Sequence, residues 1–161
     1  MLSPSELATW EKLQTATEIL RREVGRDLWG DARLSDAEFT VLAHLQSAPA
    51  EGVRPSDCAR EIGWDTSRLS HQLRRLEGRD FVAKTRGADD DGRAVRIALT
   101  DAGRTAYRRA IGPHLRAAKR WFADALEPEQ LDALGGVLDA ILAHAAALDS
   151  ASRPARDVAD S

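Results

Sequence analysis

The stretch DTSRLSHQLRRLEGR, residues 65–79, decides the fold predicted for this chain. Leu69, Leu73 and Leu76 recur at i, i+4 and i+7, which places them in one apolar stripe along an α-helix. Asp65 or Thr66 can cap the start of this helix by accepting a backbone N–H bond. The opposite face carries hydroxyl, imidazole and guanidinium groups, with no carboxylate before Glu77: Ser67, Ser70, His71 and Arg74, with Arg68 and Arg75 at its margins. This pattern predicts a helix that lies in a groove of DNA.

Charge is distributed unevenly along the 161 residues, whose net charge is −3. Between Arg54 and Arg109, 13 basic residues outnumber 9 acidic ones, whereas the two flanks together hold 10 basic and 17 acidic residues. A local basic face attracts phosphate even when the whole chain is acidic. The composition is therefore compatible with a nucleic-acid-binding region between acidic ends.

The compartment is indicated by cysteine usage and by the apolar segments. A single cysteine, Cys58, excludes an internal disulfide and fits a reducing compartment. No signal-peptide pattern opens the chain, and the most apolar tract, residues 134–148, is interrupted by Asp139 and His144 and is expected to be too short to span a bilayer. These features predict a soluble, cytoplasmic protein with no membrane partner.

Three helices are predicted before the central helix, which is the fourth. Residues 5–28 form an amphipathic helix that Gly30 and Asp31 end. A capping-box pattern at Ser35 and Glu38 opens a second helix, and Pro49 and Gly52 stop it. A short helix at residues 55–62 and a turn at Gly63 then lead into the central helix, which predicts a helix-turn-helix.

A β-hairpin and two helices are predicted after the central helix. Residues 81–86 and 95–99 alternate as strands do, and the polar segment 87–93 between them has glycine near both ends. Thr100 caps a helix that runs to about Ala125, and Pro128 begins a last helix. The polar tail after Ser150 is expected to be disordered.

Four segments carry a resemblance to a known family: residues 34–39, 56–63, 67–77 and 91–103. In this order they resemble the MarR family of bacterial winged-helix transcription regulators, and the likeness covers residues 5–148. The segment 91–103 resembles the wing and the exit from the wing, and it is the most specific of the four. Three residues depart from the usual pattern: Asp80 stands in place of a glycine, Gly92 in place of an arginine, and Cys58 in place of a leucine.

The resemblance implies a mainly α fold with a small β-hairpin wing. A winged helix-turn-helix over residues 33–100 would be flanked by helical dimerisation regions at 5–30 and 101–148, with a disordered tail at 149–161. It also implies a homodimeric repressor that binds a short palindrome and is released by a small aromatic ligand or an oxidant. Cys58 lies on the apolar side of its short helix, so we expect it to pack as a small hydrophobe and not to act as a redox switch.

The predicted contacts to double-stranded DNA lie on the central helix and on the hairpin. They are the hydroxyl, imidazole and basic side chains of Ser67, Arg68, Ser70, His71, Arg74, Arg75, Lys84, Arg86 and Arg93. Arg93, at the tip of the hairpin, is predicted to enter the adjacent minor groove. The alternative is that Arg93 pairs with one of the aspartates at 89–91 and holds the loop.

Two further surfaces are predicted. The apolar faces of the first and last helices exceed what a small helix-turn-helix core can cover, so we expect them to pair between two copies of the chain through Leu7, Trp10, Leu138, Ile141 and Leu142. The resemblance implies a cleft for a small aromatic effector, which would be lined by Trp10, Trp29, Phe39, His44 and Trp121.

Enzymatic function has no support in the sequence, and no cofactor is predicted. The four histidines lack metal-ligand spacing, and the chain has no phosphate-binding glycine loop and no nucleophile elbow. The alternative to a DNA-binding regulator is a winged helix that binds another protein through its acidic flanks.

Overall fold

The computed structural model describes residues 1–86 and 95–152, without the side chains of residues 86 and 152. Its fold is the predicted one, mainly helical with a two-stranded antiparallel hairpin. The elements are α1 (Pro4–Ala32), α2 (Asp36–Ser47), α3 (Pro55–Glu61), α4 (Thr66–Gly78), β1 (Val82–Arg86), β2 (Val95–Leu99), α5 (Asp101–Trp121), a short 3₁₀ turn (Ala123–Ala125) and α6 (Pro128–Ser152).

Helix α1 is longer than predicted at its carboxyl end. The prediction that Gly30 and Asp31 end it is wrong, because one glycine costs a helix interior only about 1 kcal/mol relative to alanine and the fully buried Leu28 anchors this part of the helix. The helix ends instead at Arg33, whose left-handed backbone (φ 55°) directs its N–H to the carbonyl of Trp29. Three residues, 33–35, connect α1 to α2.

The predicted capping box at the start of α2 is confirmed. The Ser35 hydroxyl accepts a hydrogen bond from the Glu38 N–H at 3.2 Å, and Glu38 Oε2 accepts one from the Ser35 N–H at 2.9 Å. Two of the otherwise unpaired N–H groups at the helix start are satisfied in this way. The apolar face that follows, Phe39, Leu42 and Leu45, is buried in the core.

Helices α3 and α4 form the predicted helix-turn-helix. Gly63 adopts a left-handed conformation (φ 69°), and the Trp64 N–H donates to the carbonyl of Ala59 at 2.8 Å, which closes the turn. The stripe of Leu69, Leu73 and Leu76 is buried, as its spacing predicts. Helix α4 is therefore anchored by one face and presents the other to solvent.

The hairpin follows α4 directly. Its register runs from Val82 opposite Leu99 to Arg86 opposite Val95, and the connecting residues 87–94 lie outside the described part of the chain. Asp80, where the family resemblance expects glycine, has the left-handed φ of 57° that such a turn needs. An additional antiparallel bridge joins Val53 to the fully buried Ile97 and fixes β2 against the loop before α3.

Helix α5 begins where predicted but ends earlier. The Thr100 hydroxyl accepts a hydrogen bond from the Gly103 N–H at 3.0 Å and caps the helix. The prediction that it reaches Ala125 is wrong, because the chain leaves the α conformation after Trp121 and tightens into the 3₁₀ turn. The residue before Pro128 is also restricted to extended conformations, so a continuous helix is disfavoured here.

The chain divides into two compact units, Met1–Trp121 and Phe122–Ser161. In the first unit α5 packs along α1 and against α2, and the core lies among α2, α3, α4 and the hairpin. In the second unit, α6 continues to Ser152, so the prediction of a disordered tail from residue 149 is wrong for 149–152. Residues 153–161 lie outside the described part.

The apolar segment of helix α6 is longer than the tract identified in the sequence, residues 134–148. Its segment Pro128–Ala151 has a mean hydropathy of 1.5 and is long and apolar enough to cross a membrane by length and composition alone, which corrects the expectation that the tract is too short. None of the helix is buried within the described chain. Length and composition by themselves are weak evidence for a membrane span.

Candidate nucleic-acid interface

Helix α4 presents four exposed polar side chains on the side opposite its leucines. Ser67, Ser70, His71 and Arg74 all face solvent, and we call this surface the α4 outer face. Their spacing of i, i+3, i+4 and i+7 aligns them along one side of a helix that is about 20 Å long at 1.5 Å per residue. The sequence pattern that predicted an exposed polar face is thus reproduced in the structure.

The start of α4 is organised by Asp65. Its Oδ1 accepts hydrogen bonds from the Arg68 N–H at 2.7 Å and from the Ser67 hydroxyl. These hydrogen bonds, that of Ser67 first, hold the pKa of the Asp65 carboxyl below its ordinary value. The proton of Ser67 therefore points inward to Asp65. Within residues 1–86 and 95–152, the hydroxyl of Ser70 has no such partner.

Arg68 is held by an aromatic ring. Its guanidinium carbon lies 4.0 Å from the centroid of the Trp64 ring, in the geometry of a cation–π interaction. Trp64 belongs to the turn of the helix-turn-helix and is half-buried. The stacked guanidinium keeps its N–H groups at the rim of the plane, where they remain able to donate to an anion.

The other basic groups of α4 divide into two kinds. Arg74 and His71 are exposed and have no ion pair or hydrogen-bond partner among the described residues. The Arg75 Nε, by contrast, lies 3.6 Å from Oε1 of the buried Glu38. Arg74 and His71 are therefore the side chains most available to an external partner.

The hairpin side chains predicted to contact DNA are only partly described. The Lys84 Nζ lies 2.9 Å from Oε1 of Glu77, so this lysine is paired with the carboxylate that ends the α4 surface. The side chain of Arg86 and the whole of Arg93, the residue predicted to enter the minor groove, lie outside the described part of the chain. Arg96, which was not singled out, donates to the carbonyl of Gly52 at 3.0 Å.

The five residues predicted for the effector cleft do not meet in one place. Trp121 donates its Nε1–H to Asp27 of α1 at 3.0 Å, and Trp10 lies 17 positions earlier on the same helix, or about 25 Å away. His44 instead lies at a pocket of about 450 Å³ beside α3, with its Nε2 3.6 Å from Glu61. Trp10 and Trp29 are both about half exposed.

Phe39 does belong to an aromatic cluster, but with partners that the sequence analysis missed. Its ring stacks on His114 at 4.2 Å and on Tyr107 at 5.8 Å between centroids. Burial lowers the pKa of His114, and the nearby carboxylate of Asp36 acts in the opposite direction. The helical spacing of Tyr107 and His114, seven residues apart on α5, was the signal available in the sequence.

The five predicted dimer residues are exposed in their respective units. Leu7 and Trp10 lie on the exposed amino-terminal part of α1, and Leu138, Ile141 and Leu142 lie on α6. Large exposed apolar side chains of this kind mark interaction surfaces when they occur together on one helix.

Cys58 is fully buried in the core, as its apolar position predicted. Burial, with a smaller contribution from the Glu61 carboxylate, raises the pKa of the thiol to about 11. A protonated, inaccessible thiol is a poor nucleophile. The structure therefore favours the packing role over the redox role.

No protein-family model matches the sequence, and no curated protein does. Solved structures do match. AbsC, a MarR family transcriptional regulator from Streptomyces coelicolor, superposes with a TM-score of 0.80 at 26% identity, over 91% of this chain and 98% of AbsC. Sco3205, a MarR family transcriptional regulator from the same organism solved in complex with DNA, gives 0.79 at 28% identity over 88% of both chains.

A third match is CouR of Rhodococcus jostii RHA1, a transcriptional repressor solved with a 23-mer DNA duplex. Its TM-score is 0.74 at 26% identity, over 88% of this chain and 99% of CouR. The agreement covers 88–91% of this chain in the three structures. This chain therefore has the winged-helix fold of the solved MarR family transcriptional regulators, to which it is similar at 26–28% identity.

Proposed function

We propose that this protein is a DNA-binding transcriptional repressor that acts as a homodimer on a palindromic operator. The observation that carries the proposal is the α4 outer face, where Arg74 and His71 are exposed and without a partner among the described residues. Sco3205 and CouR, which share the fold, were solved on DNA. Regulation of transcription in a bacterial cell also agrees with the predicted cytoplasmic location.

The contacts are assigned from the geometry of α4. Arg74 and His71 project from the middle of the helix and read base edges in the major groove, where arginine pairs with guanine. Arg68, fixed by Trp64 at the start of the helix, binds a phosphate together with Ser70. Ser67 completes this surface, and Lys84, Arg86 and Arg93 extend it along the hairpin to the neighbouring backbone and minor groove.

Dimerisation supplies the affinity that one winged helix lacks. A single module reads few base pairs, and two copies related by a two-fold axis read two half-sites about one turn of DNA (~34 Å) apart. We assign the winged helix-turn-helix to residues 33–100 and the dimerisation surface to exposed apolar side chains of α1 and α6. The most exposed of the five predicted residues is Leu142 of α6, which is 67% accessible.

We further propose that a small aromatic effector releases the repressor from DNA. The aromatic cluster of Phe39, Tyr107 and His114 supports a site between α2 and α5. An apolar wall with one polar group is typical of sites for small ligands. Trp29 and Trp121 stay candidates for this role, whereas Trp10 and His44 carry less support because they lie away from the Trp121–Asp27 contact.

A winged helix used only for protein binding is the competing hypothesis. It predicts that removing the positive charges of the α4 outer face leaves binding of the partner protein unchanged. It also predicts that the partner contacts the acidic flanks of the chain.

Selection of bound sequences from a random DNA pool tests the function. We expect an enriched palindrome, with an affinity that falls steeply as salt rises because several phosphates are neutralised. Arg74→Ala is expected to reduce the affinity at least tenfold, or about 1.4 kcal/mol. Arg116→Ala is the matched control, since Arg116 is also exposed but pairs with Asp31 of α1. Absence of any enriched sequence, or equal binding by the two variants, would contradict the proposal.

A further inference from the structure

Glu38 is a carboxylate with no exposed surface, and it lies where α2 meets the end of α4. Its two oxygen atoms have different partners. Oε2 accepts hydrogen bonds from the N–H and the hydroxyl of Ser35 at 2.9 and 3.0 Å. Oε1 is buried and accepts no hydrogen bond in the described structure, but two guanidinium groups face it. The capping box accounts for only half of this side chain.

The two guanidinium groups belong to the end of α4. Oε1 of Glu38 lies 3.3 Å from Nη1 of Arg79 and 3.6 Å from Nε of Arg75. Charge on a carboxylate removed from water is costly unless opposite charge balances it. Because this oxygen has no hydrogen-bond donor in the described structure, Arg75 and Arg79 are the positive groups that offset the cost of burying it.

Arg79 also connects the carboxylate to the hairpin. Its guanidinium carbon lies 4.6 Å from the centroid of the Phe81 ring, and the Phe81 carbonyl accepts the Thr100 N–H at 3.2 Å, at the exit of the hairpin. The buried carboxylate of Glu38 thus contacts the start of α2 and the end of α4 directly. Through Arg79 it is also linked to Phe81, at the base of the hairpin.

We propose that Glu38 is a positioning residue for DNA binding, and that Arg75 acts on Glu38 and not on a phosphate. The inference rests on the proposed function and deepens it. The ion pairs of Glu38 set the angle between α4 and the hairpin, the two elements assigned to the DNA. Arg74, one residue earlier, carries the same charge but lacks this buried partner, so the two neighbouring arginines have different roles.

The substitution Glu38→Gln separates positioning from capping. The glutamine amide oxygen can still accept the Ser35 N–H, so the start of α2 is retained, whereas the charge that holds Arg75 and Arg79 is lost. The substitution Arg75→Gln removes the same interaction from the other side. Arg74→Gln is the matched comparison, because it removes an exposed neighbouring charge of the same helix.

The experiment measures the affinity of each full-length variant for the selected operator across a series of salt concentrations. Loss of a cationic side chain that lies against the DNA lowers the slope of log affinity against log salt, by about two when each subunit of a dimer loses one such charge. We expect Glu38→Gln and Arg75→Gln each to weaken binding about tenfold without lowering the slope, and the double variant to be no weaker than the worse single one. Arg74→Gln is expected to lower the slope.

Four results would overturn the inference. They are a slope for Arg75→Gln that falls as it does for Arg74→Gln, wild-type affinity in Glu38→Gln, wild-type affinity in Arg75→Gln, and additive losses in the double variant. Thermal melting checks that each variant is folded. If Glu38→Gln is not folded, Arg75→Gln, Arg79→Gln and their double variant decide, by an unchanged salt slope and by losses of affinity that do not add. Failure of the wild-type chain to bind DNA would instead remove the proposed function.

Discussion

The guanidinium carbon of Arg68 lies 4.0 Å from the centroid of the Trp64 ring. Trp64, in the turn of the helix-turn-helix, therefore holds the side chain of Arg68 at the start of α4. Removing the ring while keeping an apolar side chain, as in Trp64→Leu, should free Arg68. We expect the operator affinity to fall about two- to fivefold, from a cation–π energy of about 0.5–1 kcal/mol. Trp64→Phe should lose less.

Fluorescence anisotropy with labelled operator measures this effect. Trp29→Leu serves as the control, because Trp29 is an exposed tryptophan on α1, outside the helix-turn-helix. Equal affinities for Trp64→Leu and wild type would show that the stacking does not contribute.

Capping by Asp65 is expected to stabilise the fold in a pH-dependent way. Hydrogen bonds from Ser67 and Arg68 lower the pKa of this carboxyl from its ordinary value of 3.8. Since the folded chain binds the proton less tightly than the unfolded chain, the stabilisation is present above the ordinary pKa and is lost as pH falls through the lowered pKa.

Asp65→Ala should therefore melt below wild type at neutral pH, by about 2–4 °C. Asp65→Asn keeps an acceptor and should fall between the two. Calorimetric melting from pH 7 to pH 2 measures the difference between wild type and Asp65→Ala, which should shrink in acid; a constant difference argues against the charged cap.

Two helical glycines are predicted to respond oppositely to alanine. A Cβ at Gly103 of α5 would lie 2.0 Å from the carbonyl oxygen of Phe81, a backbone atom that cannot move aside, so Gly103→Ala should cost about 3 kcal/mol or more. At Gly30 of α1 a Cβ would meet no atom within 4 Å. Gly30→Ala should thus stabilise the protein by about 0.5–1 kcal/mol. Urea denaturation measures both, and similar effects at the two positions would refute the assigned contact.

The thiol of Cys58 should resist modification in the folded protein. Burial raises its pKa to about 11 from an ordinary value of 9.0. At pH 8 the thiolate fraction is about a hundredfold lower than in an unfolded chain, and the labelling rate should fall at least as much. Above pH 9 the unfolded chain loses this proton first, so the free energy of unfolding should decrease between about pH 9 and 11. Labelling with a thiol reagent, with and without denaturant, tests this, and fast labelling of the native chain would contradict it.

The exposed apolar surface of α6 should determine the oligomeric state. Leu142→Glu places a charge on a side chain that is 67% exposed in the single chain but is proposed to be buried between two copies. We expect the variant to sediment as a monomer at micromolar concentration, because an unpaired charge at an apolar interface is strongly unfavourable. Val95→Glu, an exposed apolar position on the hairpin, is the control and should leave the dimer intact. A wild-type chain that is itself monomeric would refute the proposed homodimer.

The fold followed from the sequence wherever local signals and burial agreed. The leucine stripe of α4, the capping box at Ser35 and the strand alternation at residues 95–99 each identified their element. Helix ends were less predictable: Gly30 lies inside α1 because the burial of Leu28 outweighs a local helix-breaking preference. Such effects depend on contacts between distant residues, which local patterns do not contain.

The site was predictable as a surface but not as a set of roles. Helical spacing correctly placed Ser67, Ser70, His71 and Arg74 outward. It did not distinguish Arg74 from Arg75, because the difference lies in Glu38, a residue 37 positions earlier whose second interaction only the folded chain reveals. The five residues expected in the effector cleft do not all lie together for a similar reason. The distance between residues on different helices depends on how those helices pack, which local sequence patterns do not contain.

The three-residue connection between α1 and α2 limits how these helices can move. Four consecutive Cα–Cα steps of about 3.8 Å keep Ala32 and Asp36 within about 15 Å of each other whatever the surroundings do. A left-handed residue at one end and a capped helix start at the other leave this joint little slack. A tilt of α1 is therefore transmitted to the first turn of α2, because the three connecting residues do not form a flexible hinge that could absorb it.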